Sequence, residues 1–123
     1  MSSKQTFAPE VRTLMAGLAL GESLRWHEER LWLSDWGAQE IIAADLHGKS
    51  EVVVQTSFAL PFCIDWLHDG RLLVVSGREG LVLRRGPNGA LITHADLRRL
   101  SCQAWNAAPR PPRQIQKCAI PRV

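Results

Sequence analysis

Along most of the chain, large apolar residues come in brief runs, each cut off by Gly, Asn or Asp, and they form no helical stripe. The stretch "GESLRWHEERLWLSDWG", from Gly21 to Gly37, reads as two short strands joined by a charged turn. Further strands are predicted at "EIIAADL", "SEVVVQ", "RLLVVSG", "GLVLRR" and "ALITHA", where β-branched and long apolar side chains suit a pleated, half-buried surface. Gly48 in "DLHGKS", Gly70 in "HDGR" and Asn88-Gly89 in "GPNGA" supply residues that tolerate positive φ where tight hairpins need them. An all-β chain of short hairpins follows.

Laying the sequence over itself reveals a repeat. Leu20 meets Leu60 and Trp26 meets Trp66 at a displacement of 40; one residue is gained in the following turn. From there Arg30 meets Arg71, Leu31 meets Leu72, Leu33 meets Val74 and Gly48 meets Gly89, all at 41. "EVRTL" from Glu10 falls over "EVVVQ" from Glu51, so it corresponds to the outermost strand of a unit and precedes the first complete copy. Four strands per period of this length is the content of a propeller blade, and solenoid repeats are usually shorter or helical. In a closed propeller such a leading strand completes the final blade. The expected architecture is therefore a β-propeller, represented by about two blades and the start of a third. No third copy of "DGRLLVVSG" occurs, and "PRPPRQIQKCAIPRV" carries Pro109, Pro111, Pro112 and Pro121, which cannot continue a central strand. Residues 107–123 read either as an irregular, disordered tail or as a peptide whose reading frame is lost just after Asn106.

Composition narrows the function classes. The 123 residues make one modest domain, and 15 Lys and Arg against 12 Asp and Glu give a dispersed surplus of +3, which reads as solvated surface and not as a nucleic-acid footprint. Cys63, Cys102 and Cys118 form neither an even set nor a CxxC pair, pointing to a reducing, cytoplasmic setting. No signal peptide and no membrane-spanning run is expected.

"LGESLRWHEERLWLSDWGAQEIIAADLHGKSEVVV" followed by "LPFCIDWLHDGRLLVVSGREGLVLRRGPNGALITHADL" resembles the N-terminal third of the regucalcin/gluconolactonase family, also called SMP-30/gluconolactonase/LRE-like. The resemblance spans 10–106 and implies a six-bladed propeller with a divalent metal, calcium or zinc, in its central channel, hydrolysing sugar lactones or related esters. The family's Glu-Gly-Pro-x-Trp element, whose glutamate ligates the metal, matches Glu22, Ser23, Leu24, Arg25 and Trp26; the glutamate and tryptophan are kept and the glycine and proline are not. By the same resemblance Asn106, after Trp105, would lie beside substrate and metal, with Ala107 replacing the family's aspartate. The other ligands belong to later blades. A hard cation takes about six to eight oxygen ligands, so Glu22 and Asn106 are too few. The chain is expected to hold no catalytic residue of its own and to be an inactive relative of a metal-dependent lactonase. The alternative is a non-catalytic β-repeat module that self-associates, or binds a protein partner, through exposed strand edges.

Other candidates read as structural. His27, His47, His68 and His94 are repeat-spaced surface residues without a zinc spacing, and Ser34, Asp35 and His27 lack a nucleophile elbow. Asp35 and Asp65 are expected to accept backbone hydrogen bonds at strand ends. Trp26, Trp32, Trp36 and Trp66 are expected to pack between blades, and Cys63 in "PFCIDW" to be a buried thiol.

Overall fold

The computed structural model describes residues 8–57 and 60–100. They form two four-stranded antiparallel sheets, and no helix occurs among them. The first sheet is β1 (Gly21–His27), β2 (Arg30–Asp35), β3 (Glu40–Ala44) and β4 (Ser50–Gln55); the second is β5 (Phe62–Trp66), β6 (Leu72–Ser76), β7 (Leu81–Arg85) and β8 (Leu91–Asp96). Within each sheet the spatial order is the chain order, so each is a meander built from hairpins.

The two sheets share their turn chemistry. Gly48 and Gly89, 41 residues apart, hold φ of 83° and 82° in the β3–β4 and β7–β8 turns, where their N–H groups donate to Asp45 O and Gly86 O. Thr56 N donates to Gln39 O, and Leu97 N repeats the bond to Gly80 O. Gln39 is held at φ 58° where the second sheet has Gly80 at 65°. The β1–β2 turn is built from Glu28 and Glu29, both in the left-handed region, as a two-residue hairpin loop of the favoured twist requires.

The register refines the repeat. β1 carries a bulge between Glu22 and Arg25, with Ser23 at φ 53°, and β5 carries none. The extra residue in β1 offsets the one gained in the β5–β6 turn. Leu20, whose carbonyl accepts from Trp36 N, is therefore the counterpart of Pro61, which accepts from Gly77 N, and not of Leu60. Glu22, paired with Ser34, corresponds to Cys63, paired with Val75.

The core lies between the sheets. Trp32, Ile41, Ala43 and Val54 from one face of the first sheet meet Phe62, Ile64, Leu72, Val74 and Leu83 from the second, with β1 and β2 lying against β5. The other face of the first sheet is covered in part, with Leu33, Ile42 and Ala44 buried and Trp26 and Val52 exposed. Residues 12–20 run the length of that sheet: Arg12 donates to Leu46 O at one end, and Ala19 and Leu20 bond Asp35 at the other. A Cβ on Gly48 would lie 2.8 Å from Leu14 O, so this close approach needs glycine. "EVRTL" thus forms no strand here but lies in the segment crossing the first sheet's outer face. On the outer face of the second sheet Leu73, Val75, Val82, Arg84 and Ala95 stay half-buried, while Cys63, Asp65 and Ile92 are exposed.

Candidate functional site

Glu22 lies near the start of β1, exposed to solvent, one residue before the bulge. Ser23 stands at the place where the family's element carries glycine, and its backbone is left-handed there, a conformation a side chain resists by about 1–2 kcal/mol. Its Oγ accepts a hydrogen bond from Ile64 N at 3.1 Å, tying β1 to β5. No group of three or more His, Cys, Asp or Glu placed to hold a metal occurs among the described residues. The counterpart of Glu22 on β5 is Cys63, and Asp65 on the same strand turns its carboxylate to Trp66 N. Among the described residues, then, Glu22 has no set of such donors around it, and no reaction step follows through a cation there. Asn106, Trp105 and the tail 107–123 lie outside the described residues.

The densest polar centre is Asp35, at the end of β2 beside the start of β1. It is 2% exposed, and its carboxylate accepts four backbone N–H bonds, from Ala19 and Leu20 at 2.9 Å and from Gly37 and Ala38 at 3.1 Å. Burial pushes its pKa up, but the four bonds together outweigh that and hold the carboxyl below its ordinary value of 3.8. Asp35 is an anchor for the incoming chain. It bears out the strand-end reading, as does Asp65 through its own turn of backbone. Asp45 does the same in the β3–β4 turn, accepting from His47 N and Lys49 N.

At the opposite end of β1 an aromatic cluster bridges the sheets. The His27 imidazole stacks on Trp66 with centroids 3.9 Å apart and planes 16° from parallel, and Trp32 meets Trp66 edge-on at 5.3 Å. Trp32 Nε1 donates to His27 O at 3.0 Å, and the Arg30 guanidinium sits 5.0 Å from the Trp32 ring centroid while pairing with Glu51. Trp36 Nε1 reaches across to Phe62 O at 2.6 Å. Trp32, Trp36 and Trp66 thus pack between the sheets as expected.

Three expectations are corrected. Trp26 is 57% exposed, because pairing with Leu31 turns it to the side of the first sheet away from the second. Cys63 is exposed and unpaired, because the β5 register puts Phe62 and Ile64 inward and Cys63 out. His27 is part of the inter-sheet packing and no simple surface residue. Sequence reasoning missed Ser23 as an inter-sheet tether.

No family model, curated protein or solved structure matches this chain.

Proposed function

We propose that the two sheets are successive blades of a β-propeller-type ring, and that the chain acts as a non-catalytic repeat module docking another sheet of the same kind from a second copy. The observation that carries this reading is Trp26. Its repeat counterpart, Trp66, is covered by His27 and Trp32 of the preceding sheet, whereas among the described residues no sheet covers Trp26, which is exposed together with Leu24. Apolar surface of this size placed in water favours association by about 25 cal/mol per Å² buried. The half-buried outer face of the second sheet offers the complementary side.

A second reading, descent from the SMP-30/gluconolactonase-like lactonases, is favoured by the left-handed backbone at Ser23, where the family's element has glycine, directly after the candidate ligand Glu22. Calcium- or zinc-assisted lactone hydrolysis would then need donors other than those near Glu22, with Asn106 among the candidates.

Light scattering across a concentration series, with Trp26→Lys alongside, tests the first reading. We expect concentration-dependent association that Trp26→Lys weakens, and no lactone turnover with added calcium or zinc. A concentration-independent monomer that hydrolyses a lactone on adding either cation would reverse the choice between the two readings.

A further inference from the structure

At the end of β1 remote from Glu22 the two sheets part to leave a groove of about 370 Å³, within the range of small-molecule sites at roughly 300–1,000 Å³. Trp32 and the His27–Trp66 stack form its apolar wall, and Arg30, Arg71 and Arg85 line it together with the 86–89 turn. The three guanidinium groups are not equivalent. Arg30 pairs with Glu51, and Arg71 pairs with Asp69 through Nε and Nη2, leaving its Nη1 donors uncommitted. Arg85, half-buried at the end of β7, has no ion pair and no hydrogen bond among the described residues, its guanidinium lying over the side-chain-free Gly89. Glu28 also reaches the groove, but its carboxylate is turned to His27 at 3.8 Å. A half-buried guanidinium carries five N–H donors and a charge that favour an anion over water.

We propose that this groove is a binding site for a small oxyanion, a phosphate or a carboxylate group, held by the fork of Arg85 with the free face of Arg71, against the aromatic wall. The site is independent of the docking reading, since it lies between the two sheets of one chain whereas Trp26 is on the face of the first sheet turned away from the second.

The test is a titration of ¹⁵N-labelled protein with inorganic phosphate and, separately, with succinate at constant ionic strength, reading the indole N–H signals of Trp32 and Trp66 and the Arg85 Nε–H signal. Saturable shifts of these signals with one or both anions are expected, and the stronger anion identifies the ligand class. Arg85→Gln should weaken binding at least about tenfold, and Arg98→Gln, two residues past the end of β8 and paired with Asp96, should leave it unchanged. Arg85→Lys, which keeps the charge and loses the fork, should be intermediate and serves if Arg85→Gln does not fold. Absence of saturation with both anions, or equal affinity in wild type and the Arg85 variants, overturns the proposal.

Discussion

Asp35 ends β2 and Ser76 ends β6, 41 residues on and in the same register, yet they close their sheets differently. Asp35 gathers four backbone N–H groups and straps residues 19 and 20 to the first sheet. Ser76 is 0% exposed and its Oγ has no partner among the described residues, so the chain entering the second sheet keeps the bond from Gly77 N to Pro61 O, matched by Trp36 N to Leu20 O in the first, without a side-chain strap at Ser76. Trp36 of the first sheet reaches forward to Phe62, where the second has Gly77. From β2 to β4 and from β6 to β8 the two copies repeat their pairing at 41 residues, and what distinguishes them is the first hairpin, with its bulge and turn length, and a handful of closing residues. Strand pairing is a backbone property that many side chains satisfy. Closing a sheet end demands one group with enough acceptors.

That contrast can be broken most forcefully at its two named ends. Asp35→Ala should cost about 3–5 kcal/mol in urea unfolding, because it strands buried N–H donors, whereas Ser76→Ala should change stability by less than about 0.5 kcal/mol, since its hydroxyl has no bond to lose. Equal effects at both positions would dissolve the distinction. Next in size comes the tryptophan pair: Trp66→Ala should cost about 2–3 kcal/mol by emptying the space between His27 and Trp32, and Trp26→Ala under about 1 kcal/mol in dilute solution.

Acid should separate the ends too. Asp35 has a folded pKa below its unfolded value, so its stabilisation is complete above about 3.8 and is lost as pH falls through the lowered folded value. Stability of the wild type should therefore drop on acidification below 3.8, and that drop should be smaller in any folded variant lacking Asp35. At the β1–β2 turn, replacing Glu28-Glu29 by Asn-Gly should add about 1 kcal/mol, because both positions are left-handed and glutamate resists that region. The smallest expected effect is local: Asp96, bonded by Arg98 in full solvent, should titrate at about 2 by NMR, and Arg98→Gln should return it toward 3.8.

Seven of the eight strands were legible directly, and β5 through the repeat, because brief apolar runs between Gly, Asn and Asp leave the backbone few alternatives to hairpins, whereas "EVRTL" matched a strand by repeat and forms none. The turn insertion after Trp66 was legible as a change in displacement. The bulge at Ser23 was not, since one extra residue in β1 cancels against that insertion and aligns Leu20 with Leu60 when the bonding equates it with Pro61. Cys63 misled for a related reason: in an apolar strand, a residue's face depends on register, and a shift of one reverses it. Of the candidate site, Glu22 could be picked out by its motif, but which groups stand near it depends on strands far apart in the chain, and among the described residues no set of three or more metal-type donors forms.

By itself, then, the amino-acid order determined an all-β chain, its 41-residue period and its turn positions, because these rest on interactions between near neighbours. Tertiary structure alone decided that Trp66 is covered while its repeat partner Trp26 is bare, that Asp35 straps the incoming segment, and that Arg85 lines a groove without an ion pair among the described residues. Those outcomes depend on which sheet face meets another, and similar local patterns acquire different surroundings when, among the described residues, one has a sheet in front of it and the other does not.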